Sequence, residues 1–412
     1  MTLHPPEPQH HRATQDDVEF VLELARGLHE AGTPSHRLEG AIERIGIQLG
    51  LEMHISSTPT AFFIGFGHPA RQRLTLSRVQ PGSVGLERLE KLDHVVSLVG
   101  RGELTPKDGA AAVHSITSAP ERYGPALTLL AYTLSSTAAG RIFDGGWREM
   151  VAASVIGLLI GVLTVASRHS RRVVDVVEPV GALTASLVAA SAGLVLGRVS
   201  PMVVTLAGVI TLLPGLTLTT AMSELATRNL TSGTARLFGA GATFMTLGLG
   251  VGLGSELADL LPHVDVPRRV QQLPEWTEWV ALVVLPLASV VHLRAMPRQI
   301  PAMLGAGILA YTGARLGAHV LGPEFGAFAA ALLLGTASNA YARILDRPAS
   351  VLATSGILML VPGSIGFRSM SSMMQNDVVH GMQTAMSMLL VAVSLAGGLL
   401  FANVVVPPRR AV

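Results

Sequence analysis

The chain has 412 residues, 49% hydrophobic and only 14% charged, with no cysteine. Soluble domains carry about 25% charged residues, so a wholly soluble protein is excluded, as are disulfides, thiolate metal sites and cysteine nucleophiles. A formal net charge of +2 leaves no polyanion footprint, and no nucleic-acid partner is expected.

Residues 1–15, "MTLHPPEPQHHRATQ", form a Pro/His/Gln-rich stretch expected to be a disordered tail. No apolar signal-peptide core follows, so the N-terminus is expected to stay in the cytoplasm. Residues 16–123 have ordinary soluble composition and predict a small cytoplasmic α+β domain. Val18, Val21, Leu22, Leu24, Ala25 and Leu28 share a helical face, with Asp16 or Asp17 near its start and Gly32 after its end. In the next helix Thr33 is placed as the cap, Pro34 as the first helical residue and Gly50 as the stop. "LEMHISST", "AFFIGFG" and "QRLTLSRV" predict three short strands, with turns at Pro59 and at His68-Pro69. "VGLERLEKLDHVVSLVGRG" and "TPKDGAAAVHSI" return to helix.

From Tyr123 onward, apolar segments alternate with short polar links. Ten segments are expected: 125–143, 148–167, 178–197, 201–223, 233–256, 276–294, 299–319, 324–345, 349–374 and 379–406. Each is long enough to cross a ~30 Å hydrocarbon core. Residues 124–258 and 276–406 then hold five segments each, joined by a linker at 259–275. Links retained in the cytoplasm hold more positive charge. Arg168, Arg171, Arg172, Arg228, Arg236, Arg294 and Arg298 fall on one side, which places both termini in the cytoplasm.

The fourth segment reads "LLPGLTLTTAMSELATRN": an apolar run meets Pro214-Gly215 and becomes a ladder of hydroxyls. The pattern returns 148 residues later. Leu212-Leu213-Pro214-Gly215 falls on Leu360-Val361-Pro362-Gly363, and Met222-Ser223 on Met370-Ser371. Five segments per copy is an odd number, so the second copy enters the membrane from the opposite side. That is the inverted repeat of many secondary transporters, whose solute sites lie at discontinuous helices. Lipid cannot satisfy an opened backbone, so such breaks survive only inside protein or beside a water-filled cavity. The candidate solute-binding set is therefore Pro214, Gly215, Thr217, Thr220 and Ser223 with Pro362, Gly363, Ser364, Arg368 and Ser371. Thr219, Ser369 and Ser372 stand beside them. The plain alternative is a packing kink, since Gly and Pro are common in membrane helices.

Glu224, Arg228 and Asn229 follow the first break, and Gln375, Asn376 and Asp377 the second. They are either interfacial residues snorkelling to headgroups or the groups that couple protons to transport, with Glu224 and Asp377 as carriers. Arg368 can fork onto a solute carboxylate. Asp144 in "FDGGW" marks a tight turn or a gate, and is a third coupling candidate. Glu178 and Glu324 suit the positive ends of helices. Asn339 suits a bridge between helices, and His292 is an ionisable residue within the sixth segment. The histidines of the cytoplasmic domain lack ligand spacing, "GFGHPAR" lacks the ending of a phosphate loop, and no nucleophile triad is present. No metal, no cofactor and no enzyme activity are expected.

At this point the chain resembles the threonine/serine exporters. The resemblance runs from about residue 20 to 405. In the cytoplasmic part it is carried by "GTPSHRLEGAIERIGIQLGLEMHISSTPTAFFIGF", "RLTLSRV" and "ERLEKLDHVVSLVGRGELTPKDGAAAVHSI". In the membrane part it is carried by "GRIFDGGWREMVAASVIGLLIG", both Pro-Gly segments and "AMPRQIPAMLGAGILAYTGARLG". It implies a bacterial inner-membrane exporter of small polar amino acids, a proton-driven antiporter working by alternating access, with lipid, protons and solute as partners. A homo-oligomer is left open. The alternatives are an exporter of small dicarboxylates and a membrane-anchored enzyme with a catalytic N-terminal domain.

Overall fold

The computed structural model describes residues 14–408 except 69–71, 81, 169, 261, 263–272, 361 and 376. The chain divides after Pro120 into two compact units.

The first unit contains α1 (Gln15–Glu30), α2 (Ser35–Gln48), β1 (Met53–Thr58), β2 (Ala61–Phe66), β3 (Arg73–Arg78), α3 (Leu86–Gly100) and α4 (Pro106–Ser118). Thr14 caps α1: its hydroxyl accepts from Asp17 N at 3.2 Å, and Asp17 Oδ2 accepts from Thr14 N at 2.9 Å. Order therefore begins earlier than the expected end of the tail at residue 15, and residues 1–13 of that tail lie outside the described residues. Gly32 and Gly50 stop α1 and α2 with φ of 81° and 68°, a conformation that costs glycine no Cβ clash. Thr33 does not cap α2. Pro34 takes the capping position without a side-chain bond, and the Thr33 hydroxyl is buried without a hydrogen-bond partner. The strands form one antiparallel sheet in the order β1-β2-β3, turning at Pro59-Thr60. The second predicted turn lies partly outside the described residues. Phe20, Leu24, Leu28, Phe62 and Ile64 form the core. α1 and α4 approach closely at Gly109, where a Cβ would meet the Phe20 ring at 2.9 Å.

The second unit is helical: α5 (Pro125–Ile142), α6 (Trp147–Ser167), α7 (Arg171–Val174), α8 (Val177–Leu196), α9 (Pro201–Gly208), α10 (Gly215–Ala226), α11 (Leu230–Ala258), α12 (Trp276–His292), α13 (Ile300–Leu321), α14 (Pro323–Leu345), α15 (Ser350–Leu360), α16 (Gly363–Met374) and α17 (Val378–Val405). Helix occupies each of the ten expected segments. Six described lengths are long and apolar enough to cross a membrane, and a bent pair, α9 with α10, makes a seventh. α12 is apolar but has only 17 residues, and α5 is interrupted by Ser135, Ser136, Thr137 and Arg141. The chain is thus a polytopic helical membrane protein with a small three-stranded sheet near its N-terminus.

α8 packs on α11 and α14 on α17; α5 packs on both α6 and α12. The long pairs close over small residues. A Cβ on Gly250 would meet Pro179 O at 2.3 Å, and one on Gly398 would meet Phe328 O at 2.5 Å. Small residues at membrane-helix interfaces let backbones approach and maximise dispersion contact. Val195, Phe238, Val320 and Val404 are largely exposed, as a lipid-facing surface requires.

The start of α6 and the 3-10 turn Pro297–Gln299 that leads into α13 are each closed by a side-chain oxygen. Buried Glu149 accepts from Gly146 N through Oε2 and from Ser200 N through Oε1, both at 3.0 Å. Ser200 immediately precedes α9, so this carboxylate ties α6 to the fourth segment. One repeat later, buried Gln299 accepts from Met296 N at 2.8 Å.

Phe20 is fully buried. Phe20→Ala is expected to destabilise the N-terminal unit by about 3–5 kcal/mol, seen as faster proteolysis within residues 14–118 of the full-length chain.

Candidate functional site

Proline chemistry explains the first interruption. A proline disfavours helical geometry in the residue before it, and Leu213 is extended, with φ −67° and ψ 128°. α9 ends at Gly208, a 3-10 turn spans Ile210–Leu212, and α10 begins at Gly215 at an angle of 48°. No side chain caps α10, so its first-turn amides stay available. The opened carbonyl of Gly208 accepts the Ser136 hydroxyl at 3.1 Å. Thr211 Oγ1 is buried and has no hydrogen-bond partner among the described residues. Thr219 bonds back to Gly215 O at 3.1 Å. The hydroxyls of Thr217, Thr220 and Ser223 are partly buried and hold no hydrogen bond with another described residue.

The second interruption differs. α15 stops at Leu360 and α16 resumes at Gly363, with Pro362 as its cap and no side-chain bond. Ser350–Met374 runs as one length without a bend as large as the first, because only two residues separate its helices. Gly363 and Ser371 are buried, Ser364 is partly buried, and Arg368 is exposed with no ion pair to a described residue. Ser369 donates to Gly381 O at 2.7 Å.

The two interrupted segments meet. α10 touches α16, and each packs into the opposite half. Leu216 lies against the Ala306, Leu334, Ala353 and Ile357 cluster. Phe367 lies in the Ile156, Val204, Leu206 and Val209 cluster. Ser371 Oγ reaches Met202 Sδ at 3.8 Å, and α10 also packs on α17 while α16 packs on α11.

The predicted charged residues have unlike settings. Glu224 is fully buried; Arg236 Nε donates to its Oε1 at 3.2 Å and stands 3.1 Å from Oε2. Asp377 is exposed and caps α17, accepting from His380 N at 3.2 Å. Asp144 is exposed in the α5–α6 turn at φ 60°, 4.0 Å from Arg141. Asn376 lies outside the described residues. Asn339 bridges α14 to the end of α17, donating to Asn403 Oδ1 at 2.9 Å and to Val406 O at 2.7 Å. Among the described residues no cluster of three His, Asp or Glu side chains has metal-binding geometry.

Sequence reasoning missed Arg236 as the partner of Glu224, Ser136 as the cover for Gly208, and the buried hydroxyl of Thr211. Arg236 was legible as a cation 12 positions from Glu224, across a turn marked by Asn229. Ser136 carried no local signal.

Paired, proline-started half-helices inside a polytopic bundle are a feature of many membrane transporters. A family model described as "Putative threonine/serine exporter" matches residues 19–258, and one described as "Threonine/Serine exporter, ThrE" matches residues 279–405. The chain belongs to the threonine/serine exporter family. It is similar to pheromone-regulated membrane protein 10 of Kluyveromyces lactis, at 26% identity over 94% of this chain and 43% of the relative. The Saccharomyces cerevisiae protein of that name is 25% identical over 89% of this chain and 48% of its own length. The Candida albicans one is 25% identical over 89% and 34%. The chain therefore spans less than half the length of these curated relatives. No solved structure matches.

Removing one partner of a buried ion pair leaves an uncompensated charge and costs about 3–5 kcal/mol. Arg236→Ala is expected to destabilise the protein by that order. The double variant with Glu224→Gln should recover much of the loss in thermal unfolding in detergent.

Proposed function

We propose that the chain is a secondary active exporter of threonine, serine or similar small polar amino acids, exchanging solute for protons by alternating access. One observation carries this reading: two half-helices, each started by Pro-Gly and uncapped by any side chain, touch one another. Their first-turn amides offer a positive pole to a carboxylate. Arg368 adds a fork for the same group. Thr211, Thr217, Thr220, Ser223 and Ser364 supply hydroxyls for the solute's amine and side chain.

The membrane part is read as ten helices in a 5+5 inverted repeat. Matched neighbours support it: α8/α11 answers α14/α17, α10/α11 answers α16/α17, and α6/α9 answers α13/α15. Glu224 is taken as the proton-coupling group, a buried ionisable side chain on α10, the helix that starts at the break, with Arg236 as its partner. Asp377 and Asp144 stand at exposed helix ends, where a cap and a turn account for them. The arginine bias supports cytoplasmic termini in a bacterial plasma membrane, and the family supports a protein that is not an enzyme. Small dicarboxylates are the second reading, favoured by the unpaired guanidinium of Arg368.

Purified protein in proteoliposomes is expected to move radiolabelled threonine or serine when a pH gradient is imposed. No gradient-driven flux of these or of any dicarboxylate would overturn the reading. Glu224→Gln is expected to retain solute counterflow and lose the pH drive; an unchanged pH dependence would remove Glu224 from the mechanism.

A further inference from the structure

A second ionisable group lies on the seam between the two halves. α12 ends on His292, and the chain turns at Arg294 with φ 48°. The imidazole is partly buried against α5. Its Nε2 lies 2.9 Å from Ser135 Oγ, and Tyr132 meets the ring edge-on with centroids 4.7 Å apart.

Two adjacent residues of α5 therefore face two different groups. Ser135 holds the imidazole, and Ser136 covers the opened carbonyl of Gly208 at 3.1 Å. The imidazole is one residue of α5 removed from the first interruption. The charged groups around it are few. Glu121 binds Arg294 at 2.6 Å and Arg168 at 3.1 Å, which places an ionic network just beyond the end of α12. Tyr132 also hydrogen-bonds to Thr164 of α6. α15, which also packs on α12, has no charged residue. On α13, Tyr311 and Arg315 gather at Glu278, and on α5 Arg141 bonds to Thr277; both groups meet the opposite end of α12.

A serine hydroxyl suits a titrating imidazole. It donates to the neutral ring and, after rotating, accepts from the protonated one. The pair can gain or lose a proton without leaving a buried group unsatisfied. Glu224 stands apart from this pair, fully buried and ion-paired to Arg236. His292 is only partly buried.

We propose that His292, paired with Ser135, is a proton-carrying residue of the transport cycle. It takes up and releases a proton on the α5–α12 seam, beside the interruption that holds the solute. This rests on the proton-coupled exporter reading above.

The test uses the full-length chain in proteoliposomes, comparing threonine counterflow at equal pH with flux driven by a pH gradient. His292→Gln is expected to keep counterflow and lose gradient-driven flux. Ser135→Ala, which leaves the imidazole in place, is expected to shift the pH of half-maximal driven flux. Gradient-driven flux in His292→Gln equal to that of the unaltered chain would overturn the proposal. If His292→Gln loses counterflow as well, Ser135→Ala decides: a shifted profile supports the role and an unshifted one overturns it. If the unaltered chain shows counterflow without pH drive, the proton role falls while solute transport stands. If it shows neither, the exporter reading falls with it.

Discussion

An opened backbone in a hydrocarbon environment must find its hydrogen bonds inside the protein, and the helical unit is organised around that constraint. Leu213 before Pro214 is extended, and in the 3-10 turn ahead of it Leu212 N bonds to Val209 O at 2.8 Å, so the buried carbonyl of Gly208 has lost its helical partner. In lipid such a group costs several kcal/mol if unpaired. Ser136 answers it, and only because α5 lies close. A Cβ on Gly157 would meet Ser136 Oγ and Tyr132 O, both at 2.6 Å, and a Cβ on Gly208 would meet Ile156 at 2.5 Å. The glycines set the spacing, the spacing brings the serine, and the serine makes the break tolerable.

The same logic explains why each half-helix is held by the opposite half. A 12-residue helix is marginal in isolation, so α10 and α16 need partners. Leu216 and Phe367 supply apolar anchors across the molecule. Around them the contacts are rich in methionine: Met222 and Met388 where α10 meets α17, and Met370 and Met374 beside Gly248 and Gly252. Methionine is unbranched and repacks at low cost.

Local chemistry was legible in the sequence, and long-range pairing was not. The three strands, the glycine stops after α1 and α2 and both Pro-Gly breaks follow from rules acting over a few residues. Thr33 went astray because Pro34 claimed the capping position. The two breaks looked alike in sequence, yet only the first bends by more than 40°. The matched tetrapeptides are preceded by Thr211 in one case and Met359 in the other, so the buried hydroxyl at the first break has no counterpart at the second. The bridge from Ser136 to Gly208 spans 72 positions and the contact from Ser135 to His292 spans 157. No periodicity announces either of them. Apolar length alone also overstated how uniform the segments are, since α12 is short and α5 carries Ser135, Ser136, Thr137 and Arg141.

The caps at Glu149 and Gln299 have a consequence for the symmetry of the molecule. Both side chains present an oxygen to a main-chain amide at the start of a helix, but only the first adds a negative charge and a second acceptor for Ser200 N. An amide in that place offers hydrogens where the carboxylate offers a lone pair.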